Sequence, residues 1–247
     1  MRNNTPKNSY KCRLFCFPFA GGSASTYKDW AQALPESVEV CPINLPGRGA
    51  RFSEAAHSSM HSLTDALVEA LSSEITLPYF FFGHSMGTMV AFELSRKLRS
   101  LGKEEPRHLF LSARPGPAPL SHDINHTNII SDSDLINMLA ALNGTDKNLL
   151  ANQELLDFML PALRADMTIV QTHMYANDLA LDAAFTVFGG IDDPTVQEQE
   201  LLQWRLQTTS SFRLHMLEGD HFFLNTQRDL LLEIIKHTIE KDLQHGY

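Results

Sequence analysis

A chain of 247 residues is long enough for one sizeable α/β domain, and its length does not require a second domain. Its hydrophobic fraction of 43% and charged fraction of 20% are those of an ordinary globular protein, which argues against disordered and fibrous classes. Lys and Arg total 20 against 29 Asp and Glu, so the net charge of -9 opposes binding to nucleic acid or to an anionic membrane surface.

The N-terminal segment and the cysteines indicate the cellular compartment. The first ten residues are polar and lack the apolar segment of a signal peptide, and no later apolar run reaches the roughly 18 residues of a membrane span. We therefore expect a cytoplasmic protein. The three cysteines, Cys12, Cys16 and Cys41, lie in apolar segments, which favours reduced core thiols over disulfides. No potential histidine ligand lies near Cys12 and Cys16, so we expect no metal site there.

Six short segments rich in β-branched or aromatic residues predict strands, and most of them are separated by segments with helical periodicity. This alternation predicts a mostly parallel central sheet with helices on both faces, an α/β class. In chain order the predicted strands are 11–17, 38–45, 79–82, 108–113, 184–189 and 212–217, and the predicted helices are 24–33, 61–75, 86–101, 196–207 and 224–243.

Between about 115 and 183 the alternation of strands and helices stops. Residues 131–142 and 154–175 each have helical periodicity, and Pro161 in the second segment should begin or kink a helix. We interpret this region as a helical lid over the carboxyl edge of the sheet, where open α/β sheets place their ligand sites. The alternative is a set of helices that only cover the core.

The segment Gly83-His84-Ser85-Met86-Gly87 fits the pattern G-x-S-x-G between a predicted strand and a predicted helix. Such a turn strains the serine backbone and leaves no room for side chains at the two glycines. The pentapeptide alone could be a simple tight turn, but the flanking strand and helix favour a catalytic interpretation. The sequence therefore predicts Ser85 as a nucleophile and the Met86 N–H as one donor to an oxyanion.

A serine nucleophile requires a base, which is itself oriented by an acid, in the chain order Ser, Asp, His. Among the eleven histidines we favour His221, because its segment EGDHFFL directly follows the last predicted strand and can reach Ser85. His215 alternates within that strand and is interpreted as structural. The segment FTVFGGIDDP offers Asp192 and Asp193 as the acid. We favour Asp193, directly before a proline, and leave Asp192 to cap the following helix.

The second oxyanion donor should come from the loop after the first strand, FPFAGGSA at residues 17–24. The pair Gly21-Gly22 allows the backbone to turn close to a substrate. We choose the N–H of Ala20 as the donor, with Phe19 as the alternative. Taken alone, this segment is also consistent with a simple strand-to-helix turn.

Several of these stretches together resemble one family, the type II thioesterases that accompany nonribosomal peptide and polyketide synthases. The resemblance covers nearly the whole chain, and PGRGAR combined with FPFAGG and GDHFF separates this group from generic esterases. Arg48 and Arg51 in PGRGAR could equally be solvated or paired with local acids. The stretches are FCFPFAGGSASTYKDW, INLPGRGAR (43–51), FFGHSMGTMVAFEL, the RAD of LRADM (163–167), FGGIDDPTV and GDHFFL.

The resemblance implies an α/β-hydrolase fold, with one domain over 1–247 and a mobile lid at about 115–183. It implies hydrolysis of acyl thioesters on the phosphopantetheine arm of carrier proteins, which clears misprimed or stalled acyl groups. The residues that match the family's functional positions are Ser85, Asp193 and His221 as the triad and Met86 and Ala20 as oxyanion donors.

The same resemblance implies transient partners, which are acyl or peptidyl carrier protein domains, and no cofactor beyond the arm that the substrate carries. We expect a monomer. The main alternative is a cytoplasmic carboxylesterase or lipase that acts on small free esters. A third interpretation is a non-catalytic binding protein of the hydrolase fold, which the complete set of Ser, Asp and His argues against.

Overall fold

A six-stranded parallel sheet forms the centre of the protein in the computed structural model, which describes residues 10–117, 131–141 and 152–245. The strand order is β2-β1-β3-β4-β5-β6, and each neighbouring pair is parallel. All six predicted strands are confirmed. Their bounds are Cys12–Phe17 for β1, Val38–Pro42 for β2, Tyr79–His84 for β3, His108–Ser112 for β4, Ala184–Gly190 for β5 and Phe212–Leu217 for β6.

The helices of the described residues lie around this sheet. Residues 118–130 and 142–151 of the predicted lid, and most of the polar N-terminal segment, lie outside the described residues. The α-helices are Trp30–Ala33 (α1), Met60–Leu71 (α2), Met86–Ser100 (α3), Asp132–Ala141 (α4), Gln153–Thr172 (α5), Glu198–Leu201 (α6), Phe223–Thr226 (α7) and Arg228–His245 (α8), and the 3₁₀ turns are Ala24–Tyr27, Gly49–Arg51 and Leu202–Gln207.

Both faces of the sheet are buried, as the apolar strands predicted. Alternate side chains of β3 point to opposite faces, where Phe81 packs in a core with α2 and α3, and Phe80 and Phe82 pack in a core with Trp30 and α8. All three phenylalanines have no exposed surface. Among the described helices, none combines the length and apolar character needed to cross a membrane.

Two predicted helices differ from the structure in their type. The predicted helix 24–33 is a 3₁₀ turn followed by the short α1, and the predicted helix 196–207 is the short α6 followed by a 3₁₀ turn. In the first segment Tyr27 ends the 3₁₀ turn and Trp30 begins α1, and both side chains are buried. Their rings pack edge-on with centroids 4.8 Å apart, so both parts of this segment contribute to the core.

The insertion contributes two described helices. Helix α5 runs through Pro161, so the proline does not begin a helix there. Leu135 of α4 packs against Leu160 and Leu163 of α5, and Ala20 from the loop after β1 packs against this cluster. The helices therefore contact a loop at the carboxyl edge of the sheet, and their role as a lid stays a prediction.

The cysteines are free thiols, as predicted. Cys12 and Cys16 are buried, and Cys41 is half-buried. Burial, and secondarily the charge of Asp242, raises the pKa of Cys12 to about 12. Burial likewise raises the pKa of Cys16 well above its ordinary range. These thiols therefore stay protonated and unreactive at neutral pH.

His108, at the start of β4, is a buried histidine outside the carboxyl edge. Its Nε2 lies 2.8 Å from Thr186 Oγ1, and its ring stacks on Phe110. Burial, followed by the charge of Arg213, lowers its pKa from 6.5 to about 3. Below pH 6.5 the unfolded chain binds a proton that the folded protein does not, so stability is lost as the pH falls from 6.5 toward 3.

We expect this group alone to lower the free energy of unfolding by about 2 kcal/mol between pH 7 and pH 5. The variant His108→Gln retains a polar group for Thr186 but does not titrate. Between pH 7 and pH 5 its free energy of unfolding should therefore fall by about 2 kcal/mol less than that of the wild type. Urea unfolding of both proteins at the two pH values measures the difference. Equal losses in both proteins would contradict this assignment.

Candidate active site

Ser85 lies at the sharp turn between β3 and α3, where it is the N-terminal cap residue of α3. Its φ of 54° and ψ of -114° are rare for a residue with a side chain, and such a conformation costs about 1–3 kcal/mol. The turn is held by hydrogen bonds from Ser85 N–H to the Ser112 carbonyl, 2.8 Å, and from Thr88 N–H to the Ser85 carbonyl, 3.0 Å. The strained turn that the sequence predicts is therefore present.

The two glycines of this turn are required by close backbone contacts. A Cβ on Gly83 would overlap the carbonyl of Gly87, and a Cβ on Gly87 would overlap the carbonyl of Phe17. The first contact closes the turn on itself, and the second sets it directly against the end of β1. The predicted steric role of both glycines is confirmed.

Asp193 and His221 meet at the ends of β5 and β6. His221 Nδ1 lies 2.7 Å from Asp193 Oδ2, and both side chains are buried. The two loops are close together because Gly190 lacks a side chain, since a Cβ there would lie 2.5 Å from the Asp220 carbonyl. Because Asp193 occupies Nδ1, the ring's Nε2 is the nitrogen that remains to accept a proton.

Thr195 is a member of this site that the sequence prediction missed. Asp193 Oδ1 accepts hydrogen bonds from Thr195 N–H at 2.8 Å and from its hydroxyl at 2.7 Å. Burial acts to raise the pKa of Asp193, but the hydrogen bonds and charge of His221 and the bonds from Thr195 together lower it. The carboxylate is thus ionised at neutral pH. An acid followed two residues later by threonine is a turn pattern that could have revealed this contact.

Asp192, the alternative acid, does not occupy the same position. Its side chain is exposed, and its N–H donates to the Gly219 carbonyl at 3.0 Å. The predicted capping role of Asp192 is wrong, because α6 begins with a capping box formed by Gln197 and Glu200. The structure therefore brings Asp193, not Asp192, into contact with His221.

His84, the residue before Ser85 in the chain, packs against this pair. Its ring is centred 5.5 Å from the ring of His221. Among the described residues, Ser85 Oγ makes no hydrogen bond with His221, although such bonds are often long in enzymes without substrate. His84 is fully buried with Nδ1 2.9 Å from Ser112 Oγ, and burial and then the nearby His221 lower its pKa well below 6.5. His84 therefore packs against the candidate base as a neutral ring.

His215 lies inside β6, as its interpretation as a structural residue requires. Its ring stacks on Phe188 with centroids 5.7 Å apart. Burial, followed by the charge of Arg213, lowers its pKa.

The candidate oxyanion donors lie on neighbouring backbone segments. Met86 is the first residue of α3, and Ala20 lies in the loop after β1 that the elbow touches at Phe17. Among residues 10–117, 131–141 and 152–245, neither the Met86 N–H nor the Ala20 N–H donates a hydrogen bond. Neither N–H group is therefore committed to another acceptor among these residues. The side chain of Phe19, the alternative donor residue, packs edge-on against Phe222.

The two arginines of PGRGAR differ in their environments. Arg51 bonds to Glu54, with Nε 2.7 Å from Oε1, so the expected pairing with a local acid holds for this residue. Arg48 is buried, and it pairs with Asp166, 118 residues away on α5. Arg48 is therefore neither solvated nor paired with a local acid.

Comparison with known proteins gives a consistent family. The model of the thioesterase domain family matches residues 12–239. The chain is 40% identical to "Linear gramicidin dehydrogenase LgrE" of Brevibacillus parabrevis, covering 93% of this chain and 88% of that protein. It is 37% identical to "Gramicidin S biosynthesis protein GrsT" of Aneurinibacillus migulanus, covering 94% and 91%.

Solved structures agree with this family. RedJ, the thioesterase of the prodiginine pathway of Streptomyces coelicolor, matches with a TM-score of 0.85 and 36% identity, over 93% of this chain and 86% of that one. BorB, a type II thioesterase from the borrelidin cluster, matches with a TM-score of 0.81 and 34% identity, over 92% and 91%. The word dehydrogenase in the name of LgrE applies to that protein and not to this chain. Because the family model matches the chain from β1 to α8 and these relatives agree with it, the chain belongs to the thioesterase family and is a thioester hydrolase.

Proposed function

We propose that the protein hydrolyses acyl thioesters on the phosphopantetheine arm of carrier proteins, and so clears misprimed or stalled groups in nonribosomal peptide or polyketide synthesis. The observation that carries this proposal is the buried hydrogen bond between His221 and Asp193, together with the strained turn at Ser85, whose neighbour His84 packs against His221. The names of GrsT, RedJ and BorB place those proteins in the biosynthesis of gramicidin S, prodiginine and borrelidin, which supports a substrate from a biosynthetic pathway.

In the first half of the reaction, His221 Nε2 takes the hydroxyl proton of Ser85 as its oxygen attacks the thioester carbonyl. The N–H groups of Met86 and Ala20 stabilise the negative charge that develops on the carbonyl oxygen. The carbon–sulfur bond then breaks, the arm leaves as a thiolate that takes up the proton from His221, and an acyl group remains on Ser85.

In the second half, water attacks the acyl-enzyme by the same route. His221 takes a proton from the water, the oxyanion forms again, and the bond to Ser85 Oγ breaks as the proton returns to that oxygen. Asp193 stays ionised and stabilises the imidazolium in both halves, in agreement with its lowered pKa. A thiolate is a better leaving group than an amine, so protonation of the leaving group matters less here than in amide cleavage.

The partners follow from this substrate. We infer transient binding of acyl or peptidyl carrier protein domains by a monomeric, cytoplasmic enzyme that needs no cofactor of its own. With a net charge of -9 the chain gains little long-range attraction to an acidic carrier, so docking depends on local contacts. The insertion that carries α4 and α5 serves as the lid, and the arm enters between it and the sheet.

The test compares three substrates with the same acyl group, presented on a carrier protein, on free pantetheine and as an oxygen ester. We expect kcat/KM to be highest for the carrier, by at least about tenfold over pantetheine, because contacts outside the reacting group contribute binding energy. A Ser85→Ala sample measured in parallel gives the background rate. Oxygen-ester rates equal to or above the carrier rates would replace this proposal with that of an esterase of small free esters.

A further inference from the structure

Two buried side chains outside the triad form an ion pair next to the loop that carries Ala20. Arg48, 7% exposed, follows β2, and Asp166, 1% exposed, lies on α5. Arg48 Nη2 donates to Asp166 Oδ1 at 2.8 Å, and Nη1 donates to Oδ2. A bidentate pair of this kind fixes the orientation of both groups as well as their separation.

Both members of the pair also contact the turn after β1. Asp166 Oδ2 accepts the Gly21 N–H at 2.7 Å, and Arg48 Nη1 lies 3.4 Å from the Gly22 carbonyl. The turn closes through Gly22 N–H and the Phe19 carbonyl, 2.8 Å apart, and Gly21 has a φ of 75°. That φ is the one a type II turn requires at its third residue. Type I and type II turns differ in the orientation of the central peptide, whose N–H here is the one that Asp166 holds.

The same loop is fixed on its other side by the nucleophile turn. A Cβ on Gly87 would overlap the Phe17 carbonyl and lie 2.8 Å from the Pro18 carbonyl. Ala20 therefore lies between two fixed points of the loop. The Gly87 backbone contacts Phe17 and Pro18 before it, and the Asp166 carboxylate binds Gly21 directly after it. Its N–H donates no hydrogen bond to any described residue.

We propose that Asp166, held by Arg48, is a positioning residue that sets the Ala20 N–H where the oxyanion needs it. This inference rests on the proposed function, in which Ser85 attacks the thioester. Arg48 also neutralises the Asp166 carboxylate, whose buried negative charge would otherwise oppose an oxyanion at the preceding peptide, Phe19–Ala20. Because Asp166 belongs to α5, the position of the insertion helix contributes to the oxyanion site.

The test compares Asp166→Asn, which matches aspartate in volume, with Asp166→Leu, which keeps the branched shape of aspartate but is larger. Asparagine retains an oxygen that can accept the Gly21 N–H, and leucine does not. We expect the leucine variant to lose about 10- to 100-fold in kcat with KM changed less than about threefold, and the asparagine variant to retain most of its kcat. A structural role alone would lower thermal stability without separating kcat from KM.

A second readout is the affinity for an alkyl boronic acid, which mimics the tetrahedral intermediate when Ser85 Oγ adds to boron and its proton passes to His221. The loss of affinity in Asp166→Leu should parallel the loss of kcat. Unchanged kcat and affinity in Asp166→Leu, or equal losses in the leucine and asparagine variants, would overturn the inference.

If Asp166→Leu does not fold, Arg48→Gln supplies the measurement. This variant leaves the Asp166 charge unpaired, so boronate affinity should fall at least about tenfold, and the double variant with Asp166→Asn should regain part of it. Absence of any regain would overturn the inference. Ser85→Ala is assayed alongside: if it retains turnover, the proposed function fails, and if it is inactive while the Asp166 variants match the wild type, only the positioning role fails.

Discussion

Replacing Ser85 with alanine is expected to lower kcat by at least about 10⁴-fold, because no acyl-enzyme can form without the hydroxyl. The measurement is single-turnover hydrolysis of a carrier-bound acyl thioester, together with labelling by a fluorophosphonate. The folded state should be retained, since the change removes only one hydroxyl group. Turnover that survives in Ser85→Ala would remove the serine mechanism.

A matched control comes from the strained backbone of the same residue. Ser85 has a φ of 54°, which glycine adopts without the steric cost that a Cβ carries. We therefore expect Ser85→Gly to be as inactive as Ser85→Ala but more stable, by about 1 kcal/mol in the free energy of unfolding. The nucleophile's position would then be a case in which function is maintained at the expense of stability.

Asp193→Asn is expected to lower kcat by about 10⁴-fold, and the reason lies in Thr195. Two donors, the Thr195 N–H and its hydroxyl, converge on Asp193 Oδ1. In the variant the amide oxygen is needed by these donors, so the amide NH₂ faces His221 Nδ1. That nitrogen must then accept, the proton moves to Nε2, and the ring cannot take a proton from Ser85.

The neighbouring carboxylate supplies the control. Asp192 is exposed and no side-chain bond joins it to His221 among the described residues, so Asp192→Asn should leave kcat and KM within about twofold. Steady-state kinetics of both variants, with circular dichroism to check folding, measure the contrast. A larger loss in Asp192→Asn than in Asp193→Asn would show that Asp193 is not the acid of the triad.

The strands could be predicted from sequence because a buried parallel strand is apolar on both faces and contrasts with its polar surroundings. YFFF was such a run, and the structure begins β3 at the same tyrosine. The short helices were harder, because the 3₁₀ turn at Ala24–Tyr27 depends on how Tyr27 and Trp30 fit a core built by distant segments. Helix periodicity in one segment contains no information about that fit.

By itself, the sequence determined the alternation of strands and helices, the two glycines around Ser85 and the order of the candidate triad residues, since each depends on neighbours in the chain. Only the tertiary structure decided between Asp192 and Asp193 and paired Arg48 with Asp166. The side chains of that pair meet across 118 residues, and the separation of two charges is set by how whole helices and strands pack together. Local patterns limit the conformation of a segment, but distances between segments are fixed only when the core closes.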